Sequence, residues 1–156
     1  DDSATRGLWA LQHCMLVMEH TTFCCTPNVK FLSNLPVADV EGGNSAAKKK
    51  KFAVVAADVL SRLIAARDGW GNRVHPCLRA TMAVLMNLTH SNAECAQTLA
   101  TCGLCESVAG LLHALCFPSA APEGASLRQR VVASLEVISL ALGLLINLVE
   151  GAEQCK

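Results

Sequence analysis

A four-residue phrase, two apolar residues followed by Asn-Leu, closes two separate apolar stretches of this chain. Leu85-Met86-Asn87-Leu88 ends one, and Leu145-Ile146-Asn147-Leu148 ends the other, sixty positions later. Leu16-Val17-Met18-Glu19 gives a weaker echo near the start. Each phrase follows apolar residues spaced three and four apart, which is one face of an α-helix. After Asn87 come a polar turn, a short helical segment, Gly103 and the apolar run Val108 to Leu115. A unit of helix, turn, short helix, glycine and helix cannot bury its apolar face alone and needs neighbours of its own kind. The pattern predicts stacked helical repeats, whose usual work is to hold a partner.

Composition agrees with an all-α core. The apolar fraction is 52% and the aromatic fraction only 4%, with no Tyr. The interior must therefore be built from Leu, Val, Ala, Met and Cys, which suits close helix-on-helix packing. Thirteen basic residues balance thirteen acidic ones, so the electrostatic footprint of a nucleic-acid binder is missing. The uncharged run Val137 to Val149 is shorter than the roughly 20 residues a bilayer requires; it reads as a buried helix, and no membrane role is expected. Nine cysteines are an odd number, and Cys14, Cys77, Cys95 and Cys116 fall on apolar faces. Free cysteine behaves there as a small hydrophobe, which points to a reducing compartment. Asn87-Leu88-Thr89 is then an accidental glycosylation match.

Along the chain, Leu8, Leu11, Met15, Met18 and Thr22 form one helical face, with Ser3 or Thr5 as its cap. Asn28 to Leu35 predicts a short helix with Phe31 and Leu35 inward. Pro36 to Lys51 reads as an exposed flexible loop ending in the block Lys48 to Lys51. A helix from Phe52 carries Val55, Val59, Leu63 and Ala66, and ends at Gly69-Trp70-Gly71-Asn72. His75-Pro76 opens the next, where proline is tolerated; its core face is Leu78, Met82, Leu85 and Leu88 or Thr89. Ser91 or Asn92 caps a short helix to Cys102, and Gly103 supplies a left-handed stop. Val108, Leu111, Leu112 and Leu115 mark a further helix, residues 118–125 a short loop, and Ser126 the cap of a last helix stopping before Gly151.

This is the grammar of an armadillo/HEAT-type α-solenoid. The fold class is all-α, with residues 1–156 as a single segment of HEAT/armadillo-like repeats. The segment stops just after its most apolar helix without the polar closing repeat such arrays need. It is expected to be a fragment of a longer array or to pack against another chain.

No arrangement of residues reads as a reactive centre. Cys102-Gly103-Leu104-Cys105, with Cys95, His113 and Cys116 nearby, has zinc-knuckle spacing, but a zinc site needs a second such pair. No motif joins the five histidines to a cysteine with an orienting acid, and no phosphate loop or carboxylate pair appears. The expectation is a non-enzyme with no metal and no cofactor. Lys48 to Lys51 reads as a solvated charge run or a polyanion contact, and Trp70 as a ring folded over a helix pair or an exposed anchor. Asn87 and Asn147 have two readings: groove residues that bind an extended peptide, as in armadillo arrays, or amides that satisfy neighbouring carbonyls. The exposed Arg128, Arg130 and Glu150 are further candidates for a partner surface.

Three blocks carry a more specific resemblance. Cys14-Met15-Leu16-Val17-Met18-Glu19-His20-Thr21-Thr22-Phe23, the stretch Ala83 to His90, and Ala141-Leu142-Gly143-Leu144-Leu145-Ile146-Asn147-Leu148-Val149-Glu150 occur in the order found in the C-terminal domain of Wings-apart-like (Wapl) cohesin-release factors. The chain resembles that family outside the loops at 36–51 and 117–126, and departs from it at Gly151-Ala152-Glu153-Gln154, where the family is basic. The resemblance implies a nuclear regulator of sister-chromatid cohesion that releases cohesin from chromatin. Its partners would be the ATPase heads and HEAT-repeat accessory subunits of cohesin. The competing reading is an armadillo adaptor holding an extended peptide. Such adaptors repeat at about 42 residues with Trp beside Asn, whereas the spacing here is longer and no Trp accompanies either Asn.

Overall fold

The computed structural model describes residues 2–38, 49–70, 73–117 and 127–154. Among them 86% are helical, in seven helices: α1 (Asp2–Thr22), α2 (Thr26–Asn34), α3 (Phe52–Trp70), α4 (His75–Thr89), α5 (Ala93–Thr101), α6 (Leu104–Cys116) and α7 (Leu127–Gln154). The breaks follow local chemistry. Pro27 and Pro76 sit in the first turns of α2 and α4, where the missing N–H would be unsatisfied anyway. Asn92 caps α5 by accepting from Cys95 N–H at 3.3 Å. Gly103 turns the chain between α5 and α6 at φ +80°, a conformation that costs glycine little.

α4 is the centre. It packs on α1, α3 and α7 and buries Leu78, Met82, Leu85 and Leu88 as its periodicity predicts, together with Cys77, Ala80, Thr81 and Val84 on its other sides. α1 keeps the expected face, with Met15 and Thr22 buried. Arg79 on α4 ties three helices together, reaching Glu19 of α1 at 3.3 Å and Glu136 of α7 at 3.5 Å.

Several expectations are corrected. α3 turns its small residues inward: Ala53, Ala56 and Ala57 are buried with Leu60 and Leu63, while Val55 and Val59 are half-buried. Alanines allow α3 to approach its neighbours more closely than the valines would. In α2 the buried positions are Val29 and Ser33, whereas Phe31 is 66% exposed. Cys77 and Cys95 are buried, but Cys14 and Cys116 are exposed, because only one stripe of α1 and of α6 meets the core. Ser3 and Thr5, expected at the cap of α1, lie inside the helix.

The segment Pro36–Lys51 is not simply a loop. Its ends pair as an antiparallel ribbon, β1 (Pro36–Ala38) with β2 (Lys49–Lys51), with Val37 opposite Lys50. The lysines are engaged as well: Lys50 reaches Asp58 at 3.4 Å and Lys51 reaches Glu94 at 3.1 Å. Residues 39–48, the loop 118–125 and Ser126 lie outside the described residues, as does the side chain of Trp70.

Gly151 does not stop α7. It is buried within the helix, and a Cβ placed there would fall 2.3 Å from Ala96 Cβ. The glycine is a contact surface that lets α7 lie directly on α5. Among the described residues, Ser134–Glu153 of α7 is long and apolar enough to cross a membrane by length and composition. It packs against α4, α5 and α6 by one face only, so the expectation of a buried helix is corrected: Leu142, Ile146 and Val149 are exposed.

Candidate protein-interaction groove

The two asparagines do the same thing in two places. Asn87 Nδ2 on α4 donates to Glu19 O and to Thr22 Oγ1 on α1, both at 3.1 Å. Asn147 Nδ2 on α7 donates to Met86 O and to Thr89 Oγ1 on α4, again at 3.1 Å. Each threonine passes its own proton back along its helix, Thr22 to Met18 O at 2.6 Å and Thr89 to Leu85 O at 2.8 Å. Both amide protons of each asparagine are therefore spent on the preceding long helix. Among the described residues, no protein group donates to either Oδ1.

The equivalence continues through the turns. Phe23 N–H bonds Glu19 O and His90 N–H bonds Met86 O, both at 3.0 Å; Cys25 N–H bonds Thr22 O and Asn92 N–H bonds Thr89 O, both at 3.2 Å. Cys24 and Ser91 hold the same left-handed conformation, φ +52°. The register therefore pairs Met18-Glu19-His20-Thr21 with Leu85-Met86-Asn87-Leu88. The echo near the start is that phrase, not Leu16-Val17-Met18-Glu19, and His20 stands where the later helices carry Asn.

These like ends of α1, α4 and α7 line an open groove of about 570 Å³. Phe23, Val29, Met86 and Ile146 give it apolar wall; Lys30, His90, Ser91, Asn92, Asn87 and Asn147 give it polar wall, and among the described residues no carboxylate lines it. Gly143 lies in the wall opposite Met86. The site thus gathers Asn87 and Asn147 as candidates, but not Glu150, which is exposed on α7 outside the groove lining. Arg128 and Arg130 fall in the first turn of α7, and their side chains lie outside the described ones. Sequence reasoning missed Phe23, Lys30 and His90. The matched threonines Thr22 and Thr89 are the signal that would have aligned the two turns and exposed them.

The cysteines form a different environment. Burial raises the Cys77 thiol, whose Sγ donates to Leu8 O at 2.9 Å. Burial also lifts Cys95 to about 11, with Lys51 opposing and Glu94 adding to the shift. Cys105 is raised by burial and then by Glu106, while Cys102 is exposed. Among the described residues, no three His, Cys, Asp or Glu side chains come together as a metal site.

The family model described as "Wings apart-like protein regulation of heterochromatin" matches residues 1–155. The chain belongs to this Wings apart-like family. Searches of curated proteins and of solved structures each found no match. In this Wings apart-like chain the match takes in all seven helices and the β1–β2 ribbon between α2 and α3. The groove therefore belongs to the family's own domain and not to an appended segment.

Proposed function

We propose that this Wings apart-like chain is a scaffold of HEAT/armadillo-like repeats that acts in the nucleus, binds cohesin and promotes its release from chromatin. In that arrangement α1, α4 and α7 are the equivalent long helices of successive units, joined by the asparagine-to-threonine ladder. The observation that carries the reading is the groove across their ends: its wall is mixed apolar and polar with no carboxylate among the described residues, and the amides of Asn87 and Asn147 stand there at matched positions. It offers Lys30 and His90 to an acidic or carbonyl-rich segment of a cohesin ATPase head or HEAT-repeat accessory subunit. No chemistry and no cofactor of its own are needed, because binding energy spent on one state of a partner is enough to shift that partner's equilibrium.

The peptide-adaptor reading is weakened by the same ladder. An asparagine that clamps an extended peptide needs its N–H groups, and here both are donated to the neighbouring helix. The test is retention of cohesin subunits from nuclear extract on the full-length protein. Lys30→Glu with His90→Glu should reduce retention at least tenfold while leaving the thermal melt unchanged, since both side chains are exposed. Undiminished retention by this pair would exclude the groove as the contact; no retention by the unaltered protein would exclude the cohesin reading.

A further inference from the structure

The groove at the ends of α1, α4 and α7 has two unlike walls, and each limits what can occupy it. On the apolar side, Phe23 is 68% exposed and Ile146 56% exposed, on either side of Met86, which is half-buried against Gly143. Large apolar side chains left exposed in a concave lining are where a partner's anchor residue is held. Two of these three favour an aromatic anchor over an aliphatic one. Rings pair edge to face or offset-stacked, and a methionine sulfur makes favourable contacts with a ring. On the polar side stand Lys30 and His90, and among the described residues neither a carboxylate nor an arginine lines the groove. A phosphoryl group, close to doubly charged, is typically met by clustered arginines. One ammonium beside one imidazole suits a single carboxylate instead.

Size narrows the choice further. About 570 Å³ falls within the roughly 300–1,000 Å³ of a pocket for one drug-sized ligand. It holds a few residues of chain, not the successive turns over which a helix spaces its anchors. We propose that the groove takes a short peptide segment in which one aromatic residue is flanked by aspartate or glutamate. The proposal rests on the reading of this groove as the partner-binding face, and adds what the partner must present there.

The probe is the peptide acetyl-Gly-Asp-Phe-Asp-Gly-amide, with a carboxylate on each side of the ring so that either chain direction presents one to Lys30. The readout is the isotope-labelled methionine methyl signals of the full chain. Of the four methionines, Met86 lines the groove, while Met15 and Met82 are buried in the core and serve as references. Titration should shift Met86 saturably and leave Met15 and Met82 in place, with a Kd on the order of 0.1–1 mM for a ligand of this size. Replacing the ring of the probe by alanine should weaken binding by about tenfold or more, the usual weight of a buried anchor. Replacing both aspartates by asparagine should weaken it by about threefold or more. Phe23→Ala and Lys30→Glu should each reproduce the matching loss with an unchanged melt, since both side chains are exposed. No shift of Met86 at about 10 mM probe, tenfold above the expected range, overturns the proposal, and so does a shift indifferent to the ring or to the carboxylates. Tighter binding of a phosphoserine counterpart would make the ligand a phosphopeptide, and a Met86 signal that moves with protein concentration alone would make it a second copy; either result overturns the aromatic–acidic segment. Cohesin retention that depends on Lys30 and His90, without peptide binding, would remove this inference and leave the cohesin reading standing. Peptide binding at Met86 by a protein that retains no cohesin would do the reverse.

Discussion

Replacing Gly151 by alanine tests the tightest packing found at a described glycine. In an exposed helix interior, Gly→Ala stabilises by about 0.8–1.0 kcal/mol through backbone entropy. At Gly151 the new methyl would lie 2.3 Å from Ala96 Cβ, with Ala93 Cα and O at 3.4 Å. Carbon atoms prefer about 3.5–4.0 Å, so α5 and α7 must part by more than about 1 Å, and Ala96 has no rotamer with which to yield. Overpacking of this kind costs about 1–3 kcal/mol. Its upper half, less the entropic gain, leaves a net loss of about 1–2 kcal/mol, or about 2–8 °C in Tm for a chain of this length. Gly110 is the internal control: it lies in α6 with nothing within 4 Å of the point a methyl would occupy, and Gly110→Ala should raise Tm by about 1–4 °C. Thermal melts followed by circular dichroism give both signs in one experiment. Ala96→Gly in the Gly151→Ala background should recover at least about 1 kcal/mol relative to the sum of the single changes. A Gly151→Ala protein as stabilised as Gly110→Ala would refute the contact and the packing of α7 on α5.

Asn147→Ala should cost about 1–2 kcal/mol for two lost hydrogen bonds, and Asn147→Asp more, because a carboxylate would face Met86 O; denaturant melts giving Asp no worse than Ala would remove the ladder. Arg79→Met should cost about 1–2 kcal/mol by the same measurement, because it leaves the partly buried Glu19 carboxylate without its cation. The raised Cys95 pKa fixes a pH window: the unfolded thiol ionises near its ordinary 9.0 and the folded one near about 11. Native stability from this group is thus complete below pH 9 and falls by about 3 kcal/mol as pH rises from 9 through 11. Alkylation by iodoacetamide at pH 9, read by mass spectrometry, should mark exposed Cys14, Cys24, Cys102 and Cys116 well before Cys77 and Cys95.

The groove was only half legible before the fold was known. Asn87 and Asn147 stood out because an amide recurs in the same apolar setting, and recurrence survives in a linear string. Lys30, Phe23 and His90 did not, because they come together only when the turns after α1 and α4 stack side by side. Unequal insertions hide that stacking: β1, β2 and the residues between them separate α2 from α3, while a two-residue connection separates α5 from α6. The period between like helices therefore changes from one unit to the next, and a search for a fixed repeat loses it.

The helices, their order and most of their breaks were readable from the linear chain. Those features depend on neighbours three or four residues away: Pro27 and Pro76 in first turns, Asn92 as a cap, and Gly103 where φ is positive. The inner face of α1 was readable too, from Leu8, Leu11, Met15, Met18 and Thr22 at steps of three and four, although Trp9 and Val17 on its outer side are also apolar. Packing between helices settled the rest. In α3 and α7 apolar residues run round most of the helix, so periodicity cannot say which side is inside. That choice fell to the alanines of α3, which let helices approach, and to Gly151, which a pattern reads as a stop and the packing uses as a contact. The partners of Asn87, Asn147 and Arg79 were chosen in the same way, since a hydrogen bond between residues sixty or more apart exists only once the helices carrying them lie side by side.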